Sequence, residues 1–284
     1  WRDKKLFEFA ASEVEGFSLK NSGGTIEVKR KDMQWHFADG KPADNETLDT
    51  FVTGLAFTVA RDFVSDDKAK DRAKVGLVSP KYFLEVKLAK KPPVQFAVFE
   101  TYKKVNNATD VKVYATLGHK NFIVELDRTT VEKFSKKADD FRIKSLLTFA
   151  DRQKIKAVEL SLADPKDKYT FQMDSTGWKV GTGKLDGFEP SLLDTAMNRV
   201  GAVKIASFLG QKPIPAGNKP LSSWTFLDGE KKKLASFTFF GIVEKGEYYT
   251  KLSSGELVKL ERGTAAQVPS KPSDFQKQPA QKGA

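Results

Sequence analysis

The sequence contains no cysteine. That removes disulfides, thiolate nucleophiles and thiolate metal ligands together. Histidine is almost as scarce, with His36 and His119 the only two. His36 lies between Trp35 and Phe37 in a strand-like pattern, and His119 follows Gly118 in a turn-like one. A nucleophilic triad would need a serine and an acid gathered around one of them, and no G-x-S-x-G elbow occurs. Any metal site would have to be built from carboxylates. Asp66-Asp67 and Asp139-Asp140 are the candidates, and solvated loop acids are the better reading of both pairs. Glycine-rich phosphate loops are missing too. Asn21-Ser22-Gly23-Gly24 and Gly181-Thr182-Gly183 read as hairpin turns, without the Lys-Ser/Thr or helix start that a phosphate loop needs. No apolar run is long enough to span a bilayer. These absences point to a non-enzymatic chain, with no catalytic, cofactor-binding or metal-binding residue to name.

What is present is enough to fold. Hydrophobic residues make up 39% of the 284 and aromatics 11%, which excludes global disorder. The formal charge of +11 raises nucleic acid or an anionic membrane as a partner. The 48 basic residues are interleaved with 37 acidic ones, however, so a lysine-rich solvated surface is favoured over a nucleic-acid groove. The sharpest basic clusters, Lys90-Lys91 and Lys231-Lys232-Lys233, fall in turn-like stretches where lysine keeps strand edges soluble. Of the four tryptophans, Trp35 and Trp178 read as core rather than as a sugar-binding platform. Trp1 could serve at a membrane–water interface.

The strongest signal is an internal repeat. Leu48-Asp49-Thr50 recurs as Leu193-Asp194-Thr195, and from that anchor the two stretches run on without a gap. Leu48, Phe51, Val52 and Leu55 match Leu193, Ala196, Met197 and Val200, the stripe of an amphipathic helix. Asp44 and Glu189-Pro190-Ser191 supply the helix starts. Phe9-Ala10 matches Phe149-Ala150, Trp35 matches Trp178, and Tyr114 through Leu117 matches Tyr249 through Leu252. Arg128 and Asp140-Phe141 match Arg262 and Asp274-Phe275 at identical separation. Between the anchors, runs such as Tyr82-Leu84-Val86-Leu88 and Tyr169-Phe171-Met173 alternate like half-buried strands. Thr129 with Glu132 and Thr264 with Gln267 each spell a capping box for a short terminal helix. The expected fold is α+β: two tandem repeats of an antiparallel sheet with one long packed helix and a short terminal helix. The repeats are placed at 1–143 and 144–275, followed by a disordered polar tail at 276–284.

With these landmarks placed, the chain resembles a bacterial family known only as domain of unknown function 4340. The matching residues are Trp35, Lys41-Pro42-Ala43-Asp44, Gly76-Leu77-Val78-Ser79-Pro80 and Val113-Tyr114-Ala115. Phe141-Arg142-Ile143-Lys144-Ser145-Leu146-Leu147 completes the set, and the second copy lacks the Gly-Leu-x-x-Pro element. The resemblance implies a periplasmic domain behind one N-terminal membrane helix, which would precede Trp1. It also implies companionship with ABC-type exporters of the gliding-motility kind, and it carries over no site residue. The expected role is an extracytoplasmic binding or scaffold domain with envelope or transporter proteins as partners. A weak contact with anionic membrane would accompany it. The alternatives are a soluble module for an anionic ligand (polysaccharide, lipid headgroup or nucleic acid) and, with nothing positive behind it, an enzyme built from scattered Asp, Glu, Lys and Tyr.

Overall fold

The computed structural model describes residues 2–105, 108–242 and 245–277. Trp1 and residues 278–284 of the expected tail lie outside the described residues. The chain divides into two compact units, residues 1–143 and 144–284.

In the first unit the strands are β1 (Val14–Asn21), β2 (Gly24–Lys31), β3 (Gln34–Phe37), β4 (Asp62–Ser65), β5 (Tyr82–Leu88), β6 (Lys91–Val105), β7 (Ala108–Leu117) and β8 (Ile123–Leu126). They form one antiparallel sheet in the order β3-β2-β1-β5-β6-β7-β8-β4, with helix α1 (Asn45–Ala56) between β3 and β4 and a single turn, α2 (Lys68–Asp71), after β4. The second unit begins with α3 (Phe149–Lys154). Its strands are β9 (Ala157–Leu162), β10 (Lys168–Asp174), β11 (Gly177–Thr182), β12 (Ile205–Gly210), β13 (Lys219–Leu227), β14 (Lys233–Ile242), β15 (Glu247–Lys251) and β16 (Leu257–Leu260). Helix α4 (Pro190–Ala202) precedes β12, and α5 (Arg262–Ala265) follows β16. The order β11-β10-β9-β13-β14-β15-β16-β12 is that of the first sheet with every strand replaced by its counterpart. The protein is therefore α+β, with one sheet topology used twice in tandem.

Each unit builds its own core by the same rule. The strands alternate, and their inward side chains meet the apolar stripe of the helix. Leu48, Phe51, Val52 and Leu55 of α1 pack with Phe17, Leu19, Leu84, Val86 and Phe96, while Leu193, Ala196 and Val200 of α4 join Val158, Leu160, Trp224 and Phe226. Each large aliphatic or phenyl side chain hidden this way contributes about 1.5–3 kcal/mol. The helix starts are also shared. The N–H of the cap residue Asp44 donates to the Phe141 carbonyl (2.8 Å), and that of Glu189 donates to the Phe275 carbonyl (3.0 Å).

The recurring Leu-Asp-Thr anchor has a chemical reason beyond the helical stripe. Trp35 Nε1 donates to Asp49 Oδ1, and Trp178 Nε1 donates to Asp194 Oδ1, each at 2.8 Å. The indoles are 1% and 4% exposed, so each ring N–H depends on that carboxylate for a partner. Asp194→Ala should strand the Trp178 N–H and cost about 1–3 kcal/mol. Chemical denaturation of the variant measures this, and an unchanged midpoint would show that water replaces the acceptor.

Four local expectations are corrected. The Thr129 and Thr264 capping boxes do not form. A 3-10 turn covers Arg128–Lys133 and α5 starts after Glu261, neither with a side-chain cap. The Thr264 hydroxyl instead accepts from the Lys204 N–H (3.2 Å), and the boxed acids are one turn further on: Lys137 N–H donates to Asp140 Oδ2 (2.7 Å) and Lys271 N–H to Asp274 Oδ2 (3.0 Å). Gly181-Thr182-Gly183 is no hairpin turn; it ends β11 on the way to α4. Gln276 and Lys277, assigned to the tail, are held on the unit, with Gln276 bridged to Phe188 and the Lys277 N–H donating to the Gly187 carbonyl (3.0 Å). Finally, Phe99, Tyr114 and Ile123 belong to the outer face of the first sheet yet are buried, because Leu77 plugs them from the β4–β5 connection.

Candidate functional site

The residues that the sequence offered for chemistry are dispersed. His36 sits on the edge strand β3 with Nδ1 against the Gln34 carbonyl (3.2 Å), and His119 is exposed in the turn after β7. Asp66 pairs with Arg2, Asp67 caps α2 by accepting from the Lys70 N–H (3.1 Å), and Asp139 pairs with Arg142 (3.3 Å). Asp140 closes its own turn. Lys90 and Lys231 take the left-handed conformation of tight turns (φ 57° and 62°), and Lys91 pairs with Glu13. Apart from His119, each has a structural job. Among the described residues no three His, Asp or Glu converge as metal ligands would. Trp35, Trp178 and Trp224 are core, Trp224 occupying in β13 the place that Leu84 holds in β5.

Two features distinguish the first unit from its counterpart, and both rest on residues that the repeat does not share. One is the β4–β5 connection, which carries Gly76-Leu77-Val78-Ser79-Pro80. Gly76 turns with φ 73°, Leu77 enters the outer cluster, and Arg72 Nε donates to the Leu77 carbonyl (2.8 Å) from above the Phe99 ring. That leaves Val78 84% exposed. Alongside runs β6, where the Lys81 ammonium and the Tyr102 hydroxyl both donate to Glu100. Burial pushes the Glu100 carboxyl up, but those two donors outweigh it and hold it below the usual carboxylate range. The bond to Glu100 likewise raises Lys81 above the ordinary lysine range. Tyr102 remains 62% exposed. Tyr102 thus stands exposed on a fixed ion pair, and exposed Val78 lies three residues before Lys81 in the chain. Among the described residues, the large hydrophobic side chains that are exposed all lie in this unit: Met33, Phe57, Val59, Val64, Val78 and Tyr102.

The second feature is a groove of about 430 Å³ beside α1, lined by Glu46, Thr47, Thr50, Phe51, Gly54, Lys133, Lys136 and Phe141. Gly54 lines it, and a Cβ there would meet no atom within 4 Å. Glycine costs an α-helix about 1 kcal/mol relative to alanine, so its presence in mid-helix calls for a reason. Lys133 Nζ donates to the Gly54 carbonyl (3.1 Å) at one end of the groove. Asn21 fixes the chain behind both lysines, its Nδ2 donating to the Phe134 carbonyl (2.9 Å) and the Lys136 carbonyl (2.7 Å). Sequence reading missed this site, since its parts are a helical glycine and lysines some eighty residues away (79 for Lys133). In the second copy the corresponding positions are Arg199 for Gly54, Gln267 for Lys133 and Ser270 for Lys136.

A family model described as "Domain of unknown function (DUF4340)" matches the chain over residues 1–80 and 38–222. No curated protein and no solved structure matches it.

Proposed function

The chain belongs to the DUF4340 family, and from that premise we propose a non-enzymatic extracytoplasmic domain that binds and scaffolds other proteins. On this reading its partners are an ABC-type exporter or another envelope complex, and an N-terminal helix anchors it to the inner membrane. The observation that carries the reading is the asymmetry between two copies of one fold. Their shared residues build cores, while exposed Val78 and the Lys81–Glu100 ion pair belong to the first copy alone, with Gly241 in β14 where β6 carries Glu100. A scaffold repeats its packing; a docking surface need appear once. A rigid exposed aromatic side chain on a satisfied ion pair, with an exposed aliphatic one close by in the chain, has the composition of an interface hot spot. The charge of +11 adds a weak, salt-sensitive attraction to anionic headgroups.

The test uses the full-length protein in mild detergent, with co-purified subunits identified by mass spectrometry. Transporter or envelope subunits should be recovered, and Val78→Asp with Tyr102→Ala should lower recovery about tenfold or more, the loss expected for a hot spot. Equal recovery by the variant would remove the patch from the interface. Capture of nucleic acid with a steep salt dependence would overturn the reading.

A second reading, a module for an anionic ligand, is favoured by one observation: Lys133 and Lys136 line the groove, with no carboxylate at ion-pair distance among the described residues.

A further inference from the structure

We infer that the α1 groove of the first unit is a binding site for a small amphiphilic anion, a carboxylate carried on an apolar stem. The inference rests on the second reading above and is independent of the protein-docking patch.

Shape and chemistry converge on that class. At about 430 Å³ the groove has the size of small-molecule sites rather than of a water pocket. Its floor is the edge of the Phe51 ring, 8% exposed, backed by the fully buried Phe141 ring 5.2 Å away, an apolar surface that suits a stem and gives nothing to a hydrated ion. Its rim supplies two ammonium groups. Lys133 spends one N–H on the Gly54 carbonyl, which aims the group and leaves two donors. Lys136 lines the same groove, and the Asn21 clamp holds the segment bearing both. The one carboxylate among the lining residues, Glu46, lies eight residues before Gly54, about 12 Å along the helix axis. The groove is therefore polarised, cationic at the Gly54 end. A head group would sit by Lys133 with its stem over Phe51 towards Thr47. Only an anion with an apolar body satisfies both rim and floor.

The second copy supports the assignment by contrast. Position for position it keeps the helix and the buried phenylalanine (Phe275), but has Arg199 where Gly54 lines the groove and neither lysine. A feature needed for folding would recur with the fold; this one does not.

The probe is dodecanoate, titrated into the intact chain by calorimetry below its micelle threshold, with acetate and dodecyltrimethylammonium as controls. Dodecanoate should bind with one-to-one stoichiometry, and both controls at least about tenfold more weakly. Gly54→Leu fills the groove without adding charge and improves helix propensity, so it should fold; Lys133→Gln with Lys136→Gln removes the charge and leaves the floor. Each should weaken dodecanoate binding about tenfold or more, with melting temperatures recorded to confirm folding. Absence of dodecanoate binding, equal binding of either control, or wild-type affinity in a folded Gly54→Leu would each overturn the inference. Binding to phosphatidylglycerol vesicles that is lost in Gly54→Leu, with no dodecanoate binding, would assign the groove to a phosphate headgroup instead. None of these outcomes bears on Val78 and Tyr102, so the docking proposal stands or falls separately.

Discussion

Trp35→Ala is expected to destabilise the first unit by about 3–5 kcal/mol, the range for truncating a fully buried aromatic. For a unit of this size that is roughly 10 °C in melting temperature. The indole is 1% exposed and stands 6.2 Å from the Phe17 ring. Its N–H bonds Asp49, and the Arg30 guanidinium lies 4.6 Å from its centroid while pairing with the same Asp49. Removing the ring leaves a cavity, strips Arg30 of its stacking surface and leaves Asp49 one donor short. Trp178→Ala removes less. Its cross-strand neighbour is Met173 where Trp35 faces Arg30, so no cation–π contact of about 0.5–1 kcal/mol is lost with it. The Trp35 substitution should therefore be the costlier. Hydrogen exchange read by mass spectrometry gives the location: protection should fall across β1–β3 in one variant and β9–β11 in the other. Unchanged melting in both variants, with a lost ligand, would make the tryptophans a binding platform and the core assignment wrong.

The same pair shows how much of the fold was legible. Leu-Asp-Thr and the two tryptophans recur in the sequence, and that established the tandem units, the long helices and their apolar stripes. The bond between the repeated Asp and the repeated Trp was equally available, since both recur together 14 and 16 residues apart. It was overlooked because a carboxylate on a helix surface ordinarily reads as solvated. The capping boxes failed for a different reason. A Thr-x-x-Glu pattern is local, and at Thr264 the hydroxyl went to a distant backbone donor, Lys204. The burial of Phe99, Tyr114 and Ile123 was out of reach of alternation rules, which assign one face of a strand to water. Only the position of Leu77 in three dimensions covers them. The groove was less legible still: a helical glycine carries no chemistry until the lysines of a remote turn are placed beside it.

Phe275→Ala should cost about 3–5 kcal/mol, although Phe275 sits near the end of the described chain where substitutions are ordinarily cheap. The reason is that the 3-10 turn Pro272–Phe275 closes the second unit rather than trailing from it. Asp274 accepts from the Ser270 and Lys271 N–H groups and fixes the turn. The wholly buried ring then stands 6.1 Å from both Phe171 and Trp224, joining β10 and β13 beneath α4. Its carbonyl receives the Glu189 N–H at the helix start. Phe141 repeats the arrangement, 5.9 Å from Phe17 and 5.2 Å from Phe51, with its carbonyl taking the Asp44 N–H. Truncating the ring removes the packing and loosens the carbonyl that ends the helix, so two elements weaken from one change. Phe275→Leu keeps most of the volume and should cost less than about 1.5 kcal/mol. Urea unfolding of the two variants gives the ratio, and exchange of the Glu189 amide reports the cap. Loss of less than about 1 kcal/mol in Phe275→Ala, with the Glu189 amide still protected, would show that the helix and sheet hold without the turn, and that the recurrence of Asp-Phe at both unit ends serves something other than closure.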